Sequence, residues 1–187
     1  MRGLIDAGGP LPLEPDSRGR PADVYGALLR SITGQQLSVK AAQAIYGRLL
    51  ERFGGRPPTP QEILDDDPDE LRTSAGLSRA KTNSLRSLAE HVLAGELQLD
   101  RLQELSDEEA IRELVAVKGI GEWTAHMFLM FTLHRPDVLP VGDVGVKNAF
   151  KAAYGEDADL VATAEAWRPY RTRASLYLWR SLEVTPQ

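Results

Sequence analysis

The segment Leu114-Val115-Ala116-Val117-Lys118-Gly119-Ile120-Gly121-Glu122-Trp123-Thr124-Ala125 sits between two helical patterns. An apolar-periodic stretch ends, a Gly-x-Gly follows, and a second helical stretch opens at once. Two glycines two apart predict a tight turn with positive φ and leave room for another backbone to approach. The first N–H groups of a helix lack partners inside it and carry the positive end of its dipole. The turn therefore predicts an anion site suited to a phosphate, with Lys118, Gly119, Gly121 and Thr124 as its contacts. A plain helix–helix connection with a glycine C-cap fits the same residues.

Outward from this turn the pattern is helical almost everywhere. Trp123–Leu133 is apolar nearly all round, which predicts a helix in the middle of a fold. Apolar residues at three- and four-residue spacing predict helices over 38–53 and 81–94. Thr59-Pro60 and Ser106-Asp107-Glu108-Glu109 are helix starts. Further helices are expected over 22–31, around 60–66 and 68–74, and over 110–115, 143–153 and 165–182. No stretch alternates with period two, so the fold class is all-α. The glycines and prolines of residues 1–21 predict a flexible lead-in before the first helix.

Composition narrows the function. The 187 residues contain no cysteine, which excludes thiolate zinc sites, iron–sulfur clusters and a cysteine nucleophile. Scattered His91, His126 and His134 form no ligand set and are expected at the surface or as satisfied core. Lys+Arg number 22 against 27 Asp+Glu, a net charge of −5. Nucleic-acid binders usually carry a basic excess, so the total argues weakly against such a partner. No apolar run reaches the ~18 residues of a membrane span, and the first residues hold no apolar signal core. A cytoplasmic protein without a membrane partner is expected, and a monomer.

Downstream of the turn, Pro136-Asp137-Val138-Leu139-Pro140-Val141-Gly142-Asp143 forms a Pro/Gly loop ending in an aspartate at a helix start. Asp is a favoured N-cap, so capping alone accounts for Asp143 locally. Asp137 is expected at the surface.

The string L-x-x-V-K-G-I-G-x-W-T-A resembles the helix-hairpin-helix DNA-binding motif. With the loop and Asp143 it resembles the superfamily of DNA glycosylases built from that hairpin, a Gly/Pro-rich loop and an aspartate. Ser31-Ile32-Thr33-Gly34-Gln35-Gln36-Leu37-Ser38 and Trp167-Arg168-Pro169-Tyr170-Arg171 are similar to segments of its alkylbase branch, the 3-methyladenine DNA glycosylase II type. The resemblance implies a two-lobed helical fold with the active-site cleft between lobes. One lobe would span about 34–134, and the other about 22–33 plus 135–187. Only residues 1–21 precede the first expected helix, so the β-sheet domain of some larger relatives is not expected.

The same resemblance implies roles. Asp143 is the catalytic carboxylate, and Trp123, Met127 and Tyr170 line the base pocket. The branch usually has an aromatic where Met127 stands. Gln36 or Leu37 fills the hole left by the extruded base, although each is also readable as helix-start or core. Arg171 belongs to the DNA contacts, and an uneven distribution of Lys and Arg allows one basic face. Trp167 and Trp179 are expected in the core. Bifunctional members place a Schiff-base lysine where this chain has Trp123, which implies a monofunctional hydrolase. The carbonyls of Val115, Val117 and Ile120 match the family's monovalent-cation site, and no catalytic cofactor is implied. The partner is double-stranded DNA containing damaged bases, excised in base excision repair. Alternatives are a non-catalytic DNA- or lesion-binding module, and a glycosylase for another base such as uracil.

Overall fold

Helix starts in this chain are fixed by short polar side chains. The computed structural model describes residues 1–9, 11 and 23–184. Its α-helices are α1 (Arg2–Gly8), α2 (Val24–Gly34), α3 (Val39–Arg52), α4 (Pro60–Asp65), α5 (Pro68–Ala75), α6 (Arg79–Leu93), α7 (Asp107–Ala116), α8 (Glu122–Phe131), α9 (Val144–Tyr154), α10 (Leu160–Ala164) and α11 (Arg171–Val184). Asp23, Ser38, Asp67 and Ser78 each accept N–H bonds from the turn they precede. Thr59 with Glu62, and Ser106 with Glu109, form reciprocal capping boxes. Each such cap contributes about 1 kcal/mol. The described residues contain no strand, so the all-α class stands.

The chain divides into two compact units, with the boundary inside α8 between Phe128 and Leu129. The first holds α2 to α7 and the start of α8. Its core is built by Leu28 and Ile32 of α2, Leu49 of α3, Ile63 of α4, Leu71 of α5, Leu85 and Leu88 of α6, and Leu114 of α7, all fully buried. The second unit joins α1 to everything from Leu129 onward. There Val146, Phe150, Trp167 and Leu178 form the core, with Met1 and Leu4 packed against it.

Three sequence expectations need correction. The segment 22–33 was assigned to the lobe of the C-terminal residues; α2 instead belongs with α3 and α6, because its apolar face packs on them. Residues 2–8 form a helix despite their two glycines, held through Met1 and Leu4 and by the amino group of Met1, which donates to the Tyr154 hydroxyl. Apart from Gly9 and Leu11, the rest of the expected lead-in, and the helix start expected at Ala22, lie outside the described residues. The single helix expected over 165–182 is two elements. A short 3-10 turn at Glu165–Trp167 ends before Pro169, which lacks an N–H and cannot sit inside a helix, and α11 begins at Arg171.

His126 corrects a fourth. It is 9% exposed, and its Nδ1 has no hydrogen-bond partner among the described residues. Burial lowers its pKa from 6.5, against the opposing pull of Glu122 and Asp107. The unfolded chain therefore binds this proton more readily than the folded one. Stability falls as pH drops below about 6.5 toward the depressed folded value. His126→Leu should retain stability at pH 7 and remove this histidine's part of the acid-side decline. Chemical denaturation of both proteins between pH 7.5 and 5 measures it; parallel slopes would contradict the assignment.

Candidate functional site

The Gly-x-Gly turn connects α7 to α8 and is seated against α6. Gly119 has φ +87°, a left-handed conformation that favours glycine. A Cβ there would fall on the Ser84 hydroxyl and come 2.9 Å from the Ser84 Cβ. Gly121 is not in that region, so only one of the two glycines is required by its dihedral; a Cβ on Gly121 would meet open space.

The turn's amides are not uniformly turned outward, contrary to expectation. Lys118 N–H donates to Ser87 Oγ at 3.1 Å, and Ile120 N–H donates to the Val117 carbonyl at 3.0 Å. The donors offered by a helix start are those of α8's first turn, which have no carbonyl within the helix to meet. Thr124 also departs from its expected role. It is buried, with its hydroxyl 3.5 Å from the Gln35 amide nitrogen, so its side chain supports the turn from within.

Gln35 was missed by sequence reasoning as a structural contact. Its Nε2 donates to the Gly119 carbonyl at 2.8 Å, tying the α2–α3 connection to the hairpin. Lys81 Nζ donates to the Thr33 carbonyl at 2.9 Å, closing the end of α2. Between these anchors Gln36 has φ +57°, unusual for a residue with a Cβ. Gln36 and Leu37 both project to solvent, Leu37 at 39% exposure, which overturns the core alternative for Leu37.

Asp143 lies in the second unit, at the end of an anchored loop. Thr172 ties that loop to the start of α11. Its hydroxyl donates to the Arg135 carbonyl at 2.7 Å and accepts from Val138 N–H at 3.0 Å, and its own N–H donates to the Pro136 carbonyl. Arg171 binds both carboxylate oxygens of Asp137, at 2.8 and 3.0 Å, and also the Asp137 carbonyl. Burial pushes the Asp137 carboxyl up, but bonds from Arg171 more than offset it and hold it below the ordinary carboxylate range. Asp137 is therefore an internal anchor rather than a surface residue. The Arg171 guanidinium is committed to it with 16% of the side chain exposed, which corrects its assignment as a DNA contact.

The loop delivers Asp143 to the N-cap of α9. Asp143 is 9% exposed, and its Oδ1 accepts Val146 N–H at 2.7 Å. The same oxygen accepts the Trp179 indole N–H at 2.8 Å. Trp179 was expected as core; it is half-buried and bonded to the candidate carboxylate. Trp167 is buried core.

The remaining candidates are placed as follows. Trp123 is 46% exposed at the first turn of α8, with Met127 half-buried one turn on. Tyr170, just before α11, is 64% exposed. The basic face expected from residue runs is reduced by internal pairing. Arg168 binds Glu165 and Asp137, and Arg86 donates to the carbonyls of Ile63, Leu64 and Asp66. No cluster of His, Asp or Glu able to hold a metal occurs among the described residues. The carbonyls of Val115, Val117 and Ile120 are neutral donors that suit a monovalent cation, and Val117 keeps a second lone pair beside the Ile120 bond. No helix among the described residues is long and apolar enough to cross a membrane.

Comparison with known proteins identifies the family. Residues 29–171 match the family model described as HhH-GPD superfamily base excision DNA repair protein. A Schizosaccharomyces pombe protein named DNA-3-methyladenine glycosylase 1 is 35% identical over 91% of this chain and 77% of its own length. A crystal structure of a DNA-3-methyladenine glycosidase from Bacillus halodurans superposes with a TM-score of 0.86 at 38% identity, covering 98% of this chain and 84% of that one. The S. pombe 3-methyladenine DNA glycosylase in complex with abasic DNA gives 0.82 at 33% identity, over 98% and 91% of the two chains.

The seat of the hairpin yields a test. Gly119→Ala meets both an unfavourable dihedral and the Ser84 side chain, and should destabilise by roughly 1–3 kcal/mol. Adding Ser84→Gly removes the steric part and should recover a portion of the lost melting temperature. Equal melting temperatures for Gly119→Ala and the unsubstituted protein would show that the turn is not packed against α6.

Proposed function

The chain belongs to the HhH-GPD superfamily of base excision DNA repair proteins, and from that premise we propose that it is a DNA glycosylase removing alkylated purines such as 3-methyladenine and 7-methylguanine. The observation that carries the proposal is Asp143: a buried carboxylate at the cap of α9, delivered by an anchored loop. A capping role alone does not call for an anchor of that strength on the preceding residues.

Excision begins with holding the duplex. The first-turn amides of α8, with Gly119, Gly121 and Lys118 beside them, bind phosphate without reading bases. The target base is turned out of the stack, at a cost of a few kcal/mol. Gln36 and Leu37, exposed on a turn anchored through Gln35 and Lys81, fill the space it leaves. The resemblance gives Trp123, Met127 and Tyr170 the role of receiving the base. Aromatic faces favour a cationic ring, and N3- and N7-alkylated purines carry positive charge. A methionine in place of an aromatic makes the pocket less electron-rich, and the base's own charge supplies more of the driving force.

The C1′–N bond then breaks, the electron pair leaves with the base, and positive charge develops on the sugar. The Asp143 carboxylate stabilises that charge and orients the attacking water, whose oxygen bonds to C1′ as its proton passes to solvent. No amine is needed. Trp123 occupies the place of the Schiff-base lysine, so the enzyme is a monofunctional hydrolase without lyase activity. It works as a monomer on duplex DNA wherever the cell keeps its DNA. A monovalent cation on the carbonyls of Val115, Val117 and Ile120 would add positive charge opposite a phosphate.

Asp143→Asn should keep affinity for duplex DNA and lower release of methylated purines about 100-fold or more. Undiminished release would remove Asp143 from the chemistry, and intact binding with no release by the unsubstituted protein would favour a binding module. Offering uracil and ethenoadenine alongside methylated purines tests the base class. Borohydride treatment of the enzyme with damaged DNA should trap no covalent adduct; a trapped adduct would contradict the monofunctional assignment.

A further inference from the structure

We propose that Trp179 is a positioning residue for base excision: its indole N–H holds the Asp143 carboxylate in one orientation, and Gly145 is the residue that permits the approach. This rests on the excision function proposed above.

Three observations converge. The Trp179 Nε1–H and the Val146 N–H both donate to the same oxygen, Oδ1, at 2.8 and 2.7 Å. An N-cap needs only the second of these. Two donors from different elements, one main-chain and one side-chain, fix both the position of Oδ1 and the plane of the carboxylate. The indole is itself fixed, since its ring stacks on Phe131 at a centroid distance of 6.1 Å and an interplanar angle of 20°. Finally, a Cβ on Gly145 would lie 3.0 Å from Trp179 Cδ1, 3.1 Å from its Nε1 and 3.1 Å from Asp143 Oδ1. A Cβ at that position would press on donor and acceptor together, and each would have to give by a few tenths of an ångström.

The chemical consequence follows from preorganisation. A carboxylate that stabilises a developing sugar cation is effective when it needs no reorientation as charge appears. A neutral N–H donor suits this task better than a lysine or arginine would. It orients the carboxylate without neutralising the negative charge that the cation needs.

Trp179→Phe keeps a ring to stack on Phe131 and deletes only the N–H. Its single-turnover release of 3-methyladenine should fall by about ten- to a hundredfold. Affinity for duplex DNA carrying an abasic-site analogue and the melting temperature should stay near those of the unsubstituted protein. Gly145→Ala provides an independent arm, with the indole intact but pushed from the carboxylate, and should reproduce the rate loss. In the Trp179→Phe background, Gly145→Ala should cost less than it does alone, since the indole N–H contact is already gone and only its press on Asp143 Oδ1 remains. In the unsubstituted protein, the Trp179 indole N–H resonance should also shift upon Asp143→Asn.

Release at the unsubstituted rate by Trp179→Phe would overturn the inference alone, as would rate losses in the two single variants that multiply. A fall in rate matched by an equal fall in DNA affinity and melting temperature would reduce Trp179 to packing. Absence of any alkylpurine release by the unsubstituted protein would instead overturn the proposed function, and this inference with it.

Discussion

A carboxylate taken out of water must be met by hydrogen-bond donors, or its charge costs several kcal/mol. Much of the second unit is arranged around that requirement at Asp143. One donor requires a helix to start there, which places Val146 N–H three residues on. The other requires α11 to carry Trp179 to the same oxygen, with a residue lacking a side chain at 145. The loop before Asp143 cannot wander while these bonds hold. Thr172 and Arg171 therefore tie its first residues to the beginning of α11, the helix that also supplies the indole. Loop, cap and indole share one support, so their geometry is set together.

Under the proposed function the first unit meets a different demand, holding an anionic polymer with a chain of net charge −5. Arginines offer little help, because several are already engaged. Arg52 binds Asp66, Arg86 covers the carbonyls that close α4, and in the other unit Arg171 is committed to Asp137. The main chain offers donors that need no positive side chain. Phosphate recognition by the amides of a helix start does not depend on total charge, so surface acidity and DNA binding are compatible. The serines of α6 matter here. Ser84 packs beneath Gly119 and Ser87 accepts the Lys118 amide, so the turn is held in a fixed attitude.

The hairpin, the buried helix after it and the capping aspartate were legible because each is written locally. Glycine spacing, apolar periodicity and an N-cap depend on neighbours within a few residues. What escaped depends on partners far along the chain. Trp179 meets Asp143 across 36 residues, and Arg171 meets Asp137 across 34. Periodicity marks Trp179 as apolar and cannot reveal its N–H partner. Helix α1 escaped for a related reason. Its glycines predict a coil, and its order comes from Met1 and Leu4 on a core formed by residues beyond 138. Pro169 was a visible break within the expected C-terminal helix, and apolar spacing on either side of it masked the interruption. Gln35 and Gln36 stand side by side and have opposite fates, one bonded inward and one exposed, which composition cannot separate.

Gln36 has a consequence for timing. In the role proposed for Gln36, a side chain that enters a stacked duplex can be ordered during the encounter or before it. Here the backbone at Gln36 is already in a sparsely occupied conformation, between the Gln35 bond to the hairpin and the cap of α3 at Ser38. Its ordering entropy is lost once, when the protein folds, and does not recur at each site inspected. Under the proposed function, a protein that samples many undamaged base pairs for every lesion would gain search speed from such an arrangement, since each insertion would begin from a shape that is already formed.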